Sequence, residues 1–359
     1  MPTYESLHLL RVLDSPQVLA KSFIGYCKRH HIITRGLCRI GYARRSPLST
    51  AHSSPQDCLL RGLIANKDIA QNENIVMMPV TACLHPGVAL RCKPFWDLLP
   101  PGAQATLQDA TVAYNTRISD RSLIRHNQYL MALYMVYLML LRNCDPARLA
   151  TTPGGDVIDY IDFMPRNEGN FEQLVAHLSG WLDGPEVCRT SQAALSNHFQ
   201  LTQAEVRPAI VYALCMIYSR MVPVDHRACL QYAFQSTPLA HAWDDVAATA
   251  ALAALPSGTA SAAGAEAGAV GGHGGGERGV NMSLVQEPIS FLCPVIDMCN
   301  HSTNENVAVM VPDREPTLSG PVICLRSLRP IAKGEELVMT YGAAPHALKL
   351  IWGMQDILQ

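Results

Sequence analysis

The residues best suited to chemistry stand in two short stretches near the end of the chain. Pro294-Val295-Ile296-Asp297-Met298-Cys299-Asn300-His301-Ser302 offers a carboxylate, an amide and an imidazole directly after a β-type run. Well downstream, Gly334-Glu335-Glu336-Leu337-Val338-Met339-Thr340-Tyr341-Gly342 leads a turn into a strand that ends on a phenol. Arg220, at the end of a helical pattern, adds a guanidinium. Such groups hold and orient reactants, yet each also has a purely structural reading. Tyr341 could be a core tyrosine with a satisfied hydroxyl. His301 could cap a turn, and Arg220 could neutralise Asp297 or the end of its own helix.

The elements that must position these residues change character along the chain. From Leu60 to Val80, short β-type runs alternate with turn residues, as in Asn72-Glu73-Asn74-Ile75-Val76-Met77-Met78-Pro79. From Pro94 to about Arg227 the pattern is helical, with helices predicted at Ser122 to Asn143, at Phe171 to Leu182 and from Thr202 onward. Thr202-Gln203-Ala204-Glu205 reads as a capping box, and Pro208 would bend the first turns. The apolar run Tyr129 to Leu141 is shorter than the roughly twenty residues that cross a bilayer, and its apolar residues go all the way round, so it predicts a helix inside a helical layer. β-type runs resume at Ile289 to Ile296, Val307 to Val311, Val322 to Leu325 and Leu337 to Tyr341. The fold is therefore α+β, with sheets assembled from segments near 60–80 and 288–341 around a helical insertion.

Asp-x-x-Asn-His-Ser followed by Gly-Glu-Glu and Tyr-Gly resembles the two C-terminal motifs of the SET-domain protein methyltransferases. Asn72 to Pro79 is similar to the family's early Gly-Glu-x-Leu-Leu-x-x-Pro strand, with Asn72 in place of the glycine. Leu328-Arg329-Pro330-Ile331-Ala332-Lys333-Gly334-Glu335 is similar to the strand and turn before Tyr-Gly. Tyr160-Ile161-Asp162-Phe163-Met164-Pro165 resembles a Tyr-x-x-x-Leu-Pro segment. Ala213-Leu214-Cys215-Met216-Ile217-Tyr218-Ser219-Arg220 resembles a Trp-Ala-x-x-x-x-x-Ser-Arg helix, with Tyr212 where tryptophan is usual. These matches resemble the Rubisco large-subunit and actin-histidine methyltransferase class and span most of Arg61 to Met354.

The resemblance implies a SET fold of small sheets with a threaded C-terminal segment and a large helical insertion. It also implies S-adenosylmethionine as cofactor and a protein lysine (or histidine) as methyl acceptor. Methyl transfer needs acceptor nitrogen, methyl and leaving sulfur in line, so catalysis is mostly positioning. By resemblance, Gly62, Leu63, Arg220, Asp297, Asn300 and His301 form the cofactor-binding set, and Tyr341 is the catalytic residue that orients the nitrogen. The chain departs from the pattern at Leu59-Leu60-Arg61-Gly62-Leu63, where active members have an acidic residue and a Gly-x-Gly turn; a side chain at the first glycine position would obstruct close backbone approach. Trp352-Gly353-Met354 lies one residue closer to Tyr341 than the family's Tyr-Gly-Phe, and His346 replaces an asparagine. A second reading is accordingly a SET-derived scaffold or assembly factor in a larger complex, one that would include ribonucleoproteins.

Composition frames these readings. With 48% hydrophobic and 16% charged residues, a net charge of -2 leaves no overall drive toward nucleic acid or anionic membrane. The segment 1–56 is basic, which allows an RNA-rich partner beside a protein substrate or complex. The 12 cysteines lack CxxC pairing and framework spacing, which predicts free thiols in a reducing intracellular compartment, mitochondrial or cytosolic, and no structural metal site. The expected divisions are 1–56 (basic extension), 57–93 (first SET part), 94–246 (helical insertion), 247–285 (Ala/Gly-rich mobile linker) and 286–359 (second SET part).

Overall fold

A computed structural model describes residues 16–44, 59–112, 121–164, 172–224, 226–237, 289–312 and 320–341. The chain opens with helix α1 (Pro16–Arg29) and strands β1 (Cys38–Arg44), β2 (Leu59–Ala65) and β3 (Asn74–Pro79). A helical region follows: α2 (Pro86–Arg91), α3 (Lys93–Trp96), α4 (Pro101–Val112), α5 (Arg121–Cys144), α6 (Pro146–Thr151), α7 (Ile158–Phe163), α8 (Glu172–Leu182), α9 (Glu186–Phe199) and α10 (Gln203–Arg220). Strand β4 (Met221–Val224), helix α11 (Arg227–Phe234) and strands β5 (Ile289–Leu292), β6 (Asn300–His301), β7 (Val307–Met310), β8 (Val322–Ser327) and β9 (Glu336–Met339) complete it.

The sheets join distant parts of the sequence. Among the described residues there is a four-stranded sheet in the order β1-β2-β9-β6, a three-stranded sheet β3-β8-β7 and a pair β4-β5. Leu63 lies opposite Leu337 and Met77 opposite Cys324, both antiparallel, so the segments near 60–80 and 288–341 do share sheets. Two turns that open these strands use left-handed backbone. Asn72 takes φ 64°, which asparagine tolerates better than most residues, and this explains how it stands where the similar motif has glycine. Gly334 takes φ 87°.

The helical layer is built on α5, whose residues 129–141 are each no more than 2% exposed, as an apolar surface all round demands. Helix α10 packs along it. Thr202 caps α10 through the Glu205 backbone N–H while the Glu205 carboxylate accepts from the Thr202 N–H at 2.8 Å, a complete capping box, and the helix runs on through Pro208. No helix among the described residues is long and apolar enough to cross a membrane.

The basic segment 1–56 contributes directly to this architecture. β1 pairs with β2 from Cys38–Ala65 to Arg44–Leu59. On α1, Phe23 stacks on Phe163 at 4.3 Å and the buried Tyr26 hydroxyl donates to the Ala82 carbonyl at 2.9 Å. Part of its polar surface is paired within the chain: Arg29 meets Asp159 at 2.7 Å and His30 meets Asp156 at 2.6 Å. The linker 247–285, Pro165 and the terminal segment with His346 and Trp352 lie outside the described residues.

Candidate functional site

Strand β6 is the pivot of the site. It runs parallel to β9, Asn300 opposite Val338 and His301 opposite Met339, although the residues of each pair are 38 positions apart. Parallel pairing over so short a distance requires the chain to loop round and pass back beside its own strand, and Asn306 secures that loop. Its side chain donates to the Glu335 carboxylate at 3.0 Å and to the Glu336 carbonyl at 2.8 Å, and accepts from the Val338 N–H at 2.8 Å. Its backbone bonds Val338 and Leu328 as well. Asn306 is 1% exposed, so losing it would strand several buried polar groups at once.

Asn300 ties this thread to the first sheet. Its amide donates to the Arg61 carbonyl on β2 at 3.2 Å and to the Glu336 carboxylate at 2.7 Å. Gly62 makes that approach possible: a β-carbon there would lie 2.7 Å from the Asn300 amide nitrogen and 2.9 Å from the Glu336 carboxylate. The close approach at Gly62 is thus made by the protein's own side chains. Leu63, next along the strand, is completely buried in the main core. Leu59 and Leu60 lie on β2, and their side chains fall outside the described residues.

His301 and Tyr341 form a second contact across the thread. The Tyr341 backbone N–H donates to His301 Nδ1 at 3.1 Å, and the rings sit 5.2 Å apart, tilted. The Tyr341 hydroxyl donates to the Cys299 carbonyl at 2.8 Å, one residue before Asn300.

Asp297 is the electrostatic centre. Its side chain is fully buried, accepts from the Tyr160 hydroxyl at 2.7 Å on Oδ2, and lies 3.5 Å from Arg220 Nη1, which also donates to the Asp297 carbonyl at 3.3 Å. Its Oδ1 is buried with no hydrogen-bond partner among the described residues. Burial pushes its pKa up, against the opposing pull of Arg220, the Tyr160 hydroxyl and Arg61. Arg61 is held nearby by a bond to the Phe163 carbonyl at 3.2 Å and by the Phe163 ring, 4.8 Å below the guanidinium. Val295, just upstream, has φ 74°, a strained conformation for a β-branched residue; it starts the tight turn that presents Asp297.

The pair β4-β5 brings Arg220 and Asp297 together. Helix α10 delivers Arg220 directly into Met221, opposite Leu292, from which the chain continues to Asp297. Residues 297–301 therefore carry three sets of contacts on one short segment: Asp297 with Arg220, Asn300 with the Arg61 carbonyl and Glu336 beside Gly62, and Cys299 and His301 with Tyr341. Leu63 supports the sheet from the core side. Two contributors to this arrangement are not assigned by the sequence motifs: Asn306, a lone polar residue in a turn, and Tyr160, whose motif gives no partner. A strong β pattern was the only available signal for β4, and Met221-Val222-Pro223-Val224 is too short and too interrupted by proline to provide one.

A fold of small split sheets with a threaded strand, and a site at the thread, defines a class of protein with this unusual connectivity. The profile of the SET domain matches residues 60–342, and the chain belongs to the SET-domain family. It is similar to the crystal structure of the SET domain of LSMT bound to lysine and AdoHcy, at 12% identity and TM-score 0.49, over 95% of this chain and 58% of that one. It is also similar to the structure of Rubisco LSMT bound to AdoMet, at 12% identity and TM-score 0.47, over 95% of this chain and 57% of that one. The chain thus spans somewhat more than half the length of these proteins. No curated protein sequence matches it.

Proposed function

We propose that this SET-domain chain transfers a methyl group from S-adenosylmethionine to a side-chain nitrogen of a protein, lysine or histidine. The reading rests on one observation: the short threaded segment 297–301 carries Asp297 paired with Arg220, Asn300 and His301 on β6, and the contacts of Tyr341 with Cys299 and His301. The residues fit the charges of such a cofactor. Arg220 and Arg61 offer positive charge toward a carboxylate, and Asp297 keeps one buried acceptor oxygen without a hydrogen-bond partner among the described residues, an acceptor for an N–H of the cofactor. Asn300 and His301 would hold the group through the strand they form. When bound, it supplies an electrophilic methyl on a sulfonium. The Tyr341 hydroxyl, fixed on the Cys299 carbonyl, would orient the acceptor nitrogen after that nitrogen has given its proton to water.

Calorimetric titration of the full chain with S-adenosylmethionine tests the first half, with binding expected in the roughly micromolar range. Mass spectrometry of proteins incubated with the enzyme and labelled cofactor then distinguishes methyl-lysine from methyl-histidine. Leu59→Glu with Leu60→Gly should raise cofactor affinity by about tenfold if a charge-assisted hydrogen bond is regained and an obstruction removed. No binding by either the parent chain or this double variant would overturn the methyltransferase reading in favour of a SET-derived assembly factor.

A further inference from the structure

A cleft of about 190 Å³ opens between residues 81–91 and α11, lined by Thr81, His85, Arg91, Tyr232, Gln235 and Ser236. None of these residues takes part in the contacts at the thread. Arg91 reaches across the cleft, where its Nη1 donates to the Ala233 carbonyl at 2.5 Å and approaches the Gln235 carbonyl at 3.5 Å, tying down the end of α11. That contact uses one nitrogen of the guanidinium. Among the described residues, Nε and Nη2 have no hydrogen-bond partner and no carboxylate pairs with the group. Arg91 is half-buried, and desolvation lowers its pKa, so this is a partly dehydrated positive charge with no counter-charge among the described residues.

The surroundings supply further donors. His85 is 1% exposed, its ring stacks on Phe291 at 4.8 Å, and its Nδ1 has no partner. Burial, with the nearby Arg91 charge, keeps it well below the ordinary imidazole pKa, hence neutral near pH 7 and able to donate one N–H. Thr81, Tyr232 and Ser236 bring hydroxyls, and the Tyr232 ring is seated against Gly320, where a β-carbon would lie 3.1 Å from the ring and the φ of 93° favours glycine. The volume lies below the roughly 300 Å³ at which pockets for drug-sized ligands begin.

We propose that this cleft binds the carboxylate of a small organic acid, with Arg91 Nε and Nη2 as its fork and the Thr81 and Tyr232 hydroxyls beside it. A guanidinium fork matches the two oxygens of a carboxylate, and its single positive charge balances one negative charge. A phosphate dianion would leave a charge uncompensated, since no lysine or second arginine lines the cleft among the described residues.

The test follows the Arg91 Nε–H signal in the nitrogen-correlated NMR spectrum of the full chain, assigned by its loss in Arg91→Lys. Sodium acetate is titrated against sodium chloride and sodium phosphate at matched ionic strength. Acetate should give a saturable shift that chloride does not. Tyr232→Phe and Thr81→Val leave both Arg91 carbonyl contacts intact, and each should weaken acetate binding by roughly threefold, the loss of one hydrogen bond. A chloride response equal to that of acetate, phosphate binding tighter than acetate, or acetate binding unchanged in both variants would each overturn the proposal.

Discussion

Tyr341 and Asp297 act at opposite ends of the short segment 297–301, and their environments separate what each contributes. The Tyr341 hydroxyl bonds a carbonyl of the thread, so its removal should cost the fold only about 1 kcal/mol, whereas under the proposed function it would free the methyl acceptor to rotate. In Tyr341→Phe we expect methyl transfer to fall by about a hundredfold and cofactor affinity to change by less than about threefold, measured by single-turnover transfer and calorimetry. Asp297 carries the opposite signature, because burial raises its pKa above the ordinary 3.8. The native state then holds its proton to higher pH than the unfolded chain does. Stability contributed by this residue is accordingly greatest below the unfolded pKa and declines as pH rises from there through the folded value. Asp297→Asn should flatten that decline, an outcome checked by urea unfolding of both proteins at a series of pH values from 3 upward, within the range where each remains folded.

At the scale of elements, β2 bears the tightest constraint. A β-carbon at Gly62 would press on the Asn300 amide and the Glu336 carboxylate, both engaged in hydrogen bonds that hold β6 and β9 to the first sheet. Gly62→Ala should therefore destabilise the protein by about 1–3 kcal/mol in urea unfolding, with increased amide exchange at β6 and β9. Much of this level was legible in the sequence. The long apolar run gave α5, Thr202 and Glu205 gave the start of α10, and the period-two runs gave β7, β8 and β9. Other features were not legible, for physical reasons. The two residues of β6 are too few to show a period, and β4 contains a proline. α1 and β1 lie in a stretch whose dominant signal is positive charge, and only tertiary pairing with Asp156, Asp159 and β2 reveals their place. Motif order named the candidate site residues; the Asn306 clamp and the Tyr160–Asp297 bond depend on geometry that no spacing encodes.

For the molecule as a whole, the decisive feature is that a site gathered from distant parts of the chain depends on how the intervening sequence is closed off. Val224 and Ile289 are paired directly across the β4-β5 ladder, so the two ends of the intervening sequence are held at one point. The same ladder sets Arg220 beside Asp297 at its other end. Residues between 224 and 289 can consequently vary in length without moving either side chain, provided α11 keeps its contacts with α2 and the turn at Val80 to Ala82. Closing a shorter loop also costs less chain entropy, since each halving of loop length recovers only about 0.6 kcal/mol. Excising residues 247–285, the Ala/Gly-rich stretch beyond α11, should therefore leave stability unchanged or raised by about 1 kcal/mol, read by urea unfolding. Affinity for S-adenosylmethionine, measured by the same calorimetry as for the full chain, should stay within about twofold. A large loss of stability would show that the excised stretch packs on the fold. Lost affinity at unchanged stability would show that it contributes to the site, and that β4-β5 alone does not hold Arg220 and Asp297 in register.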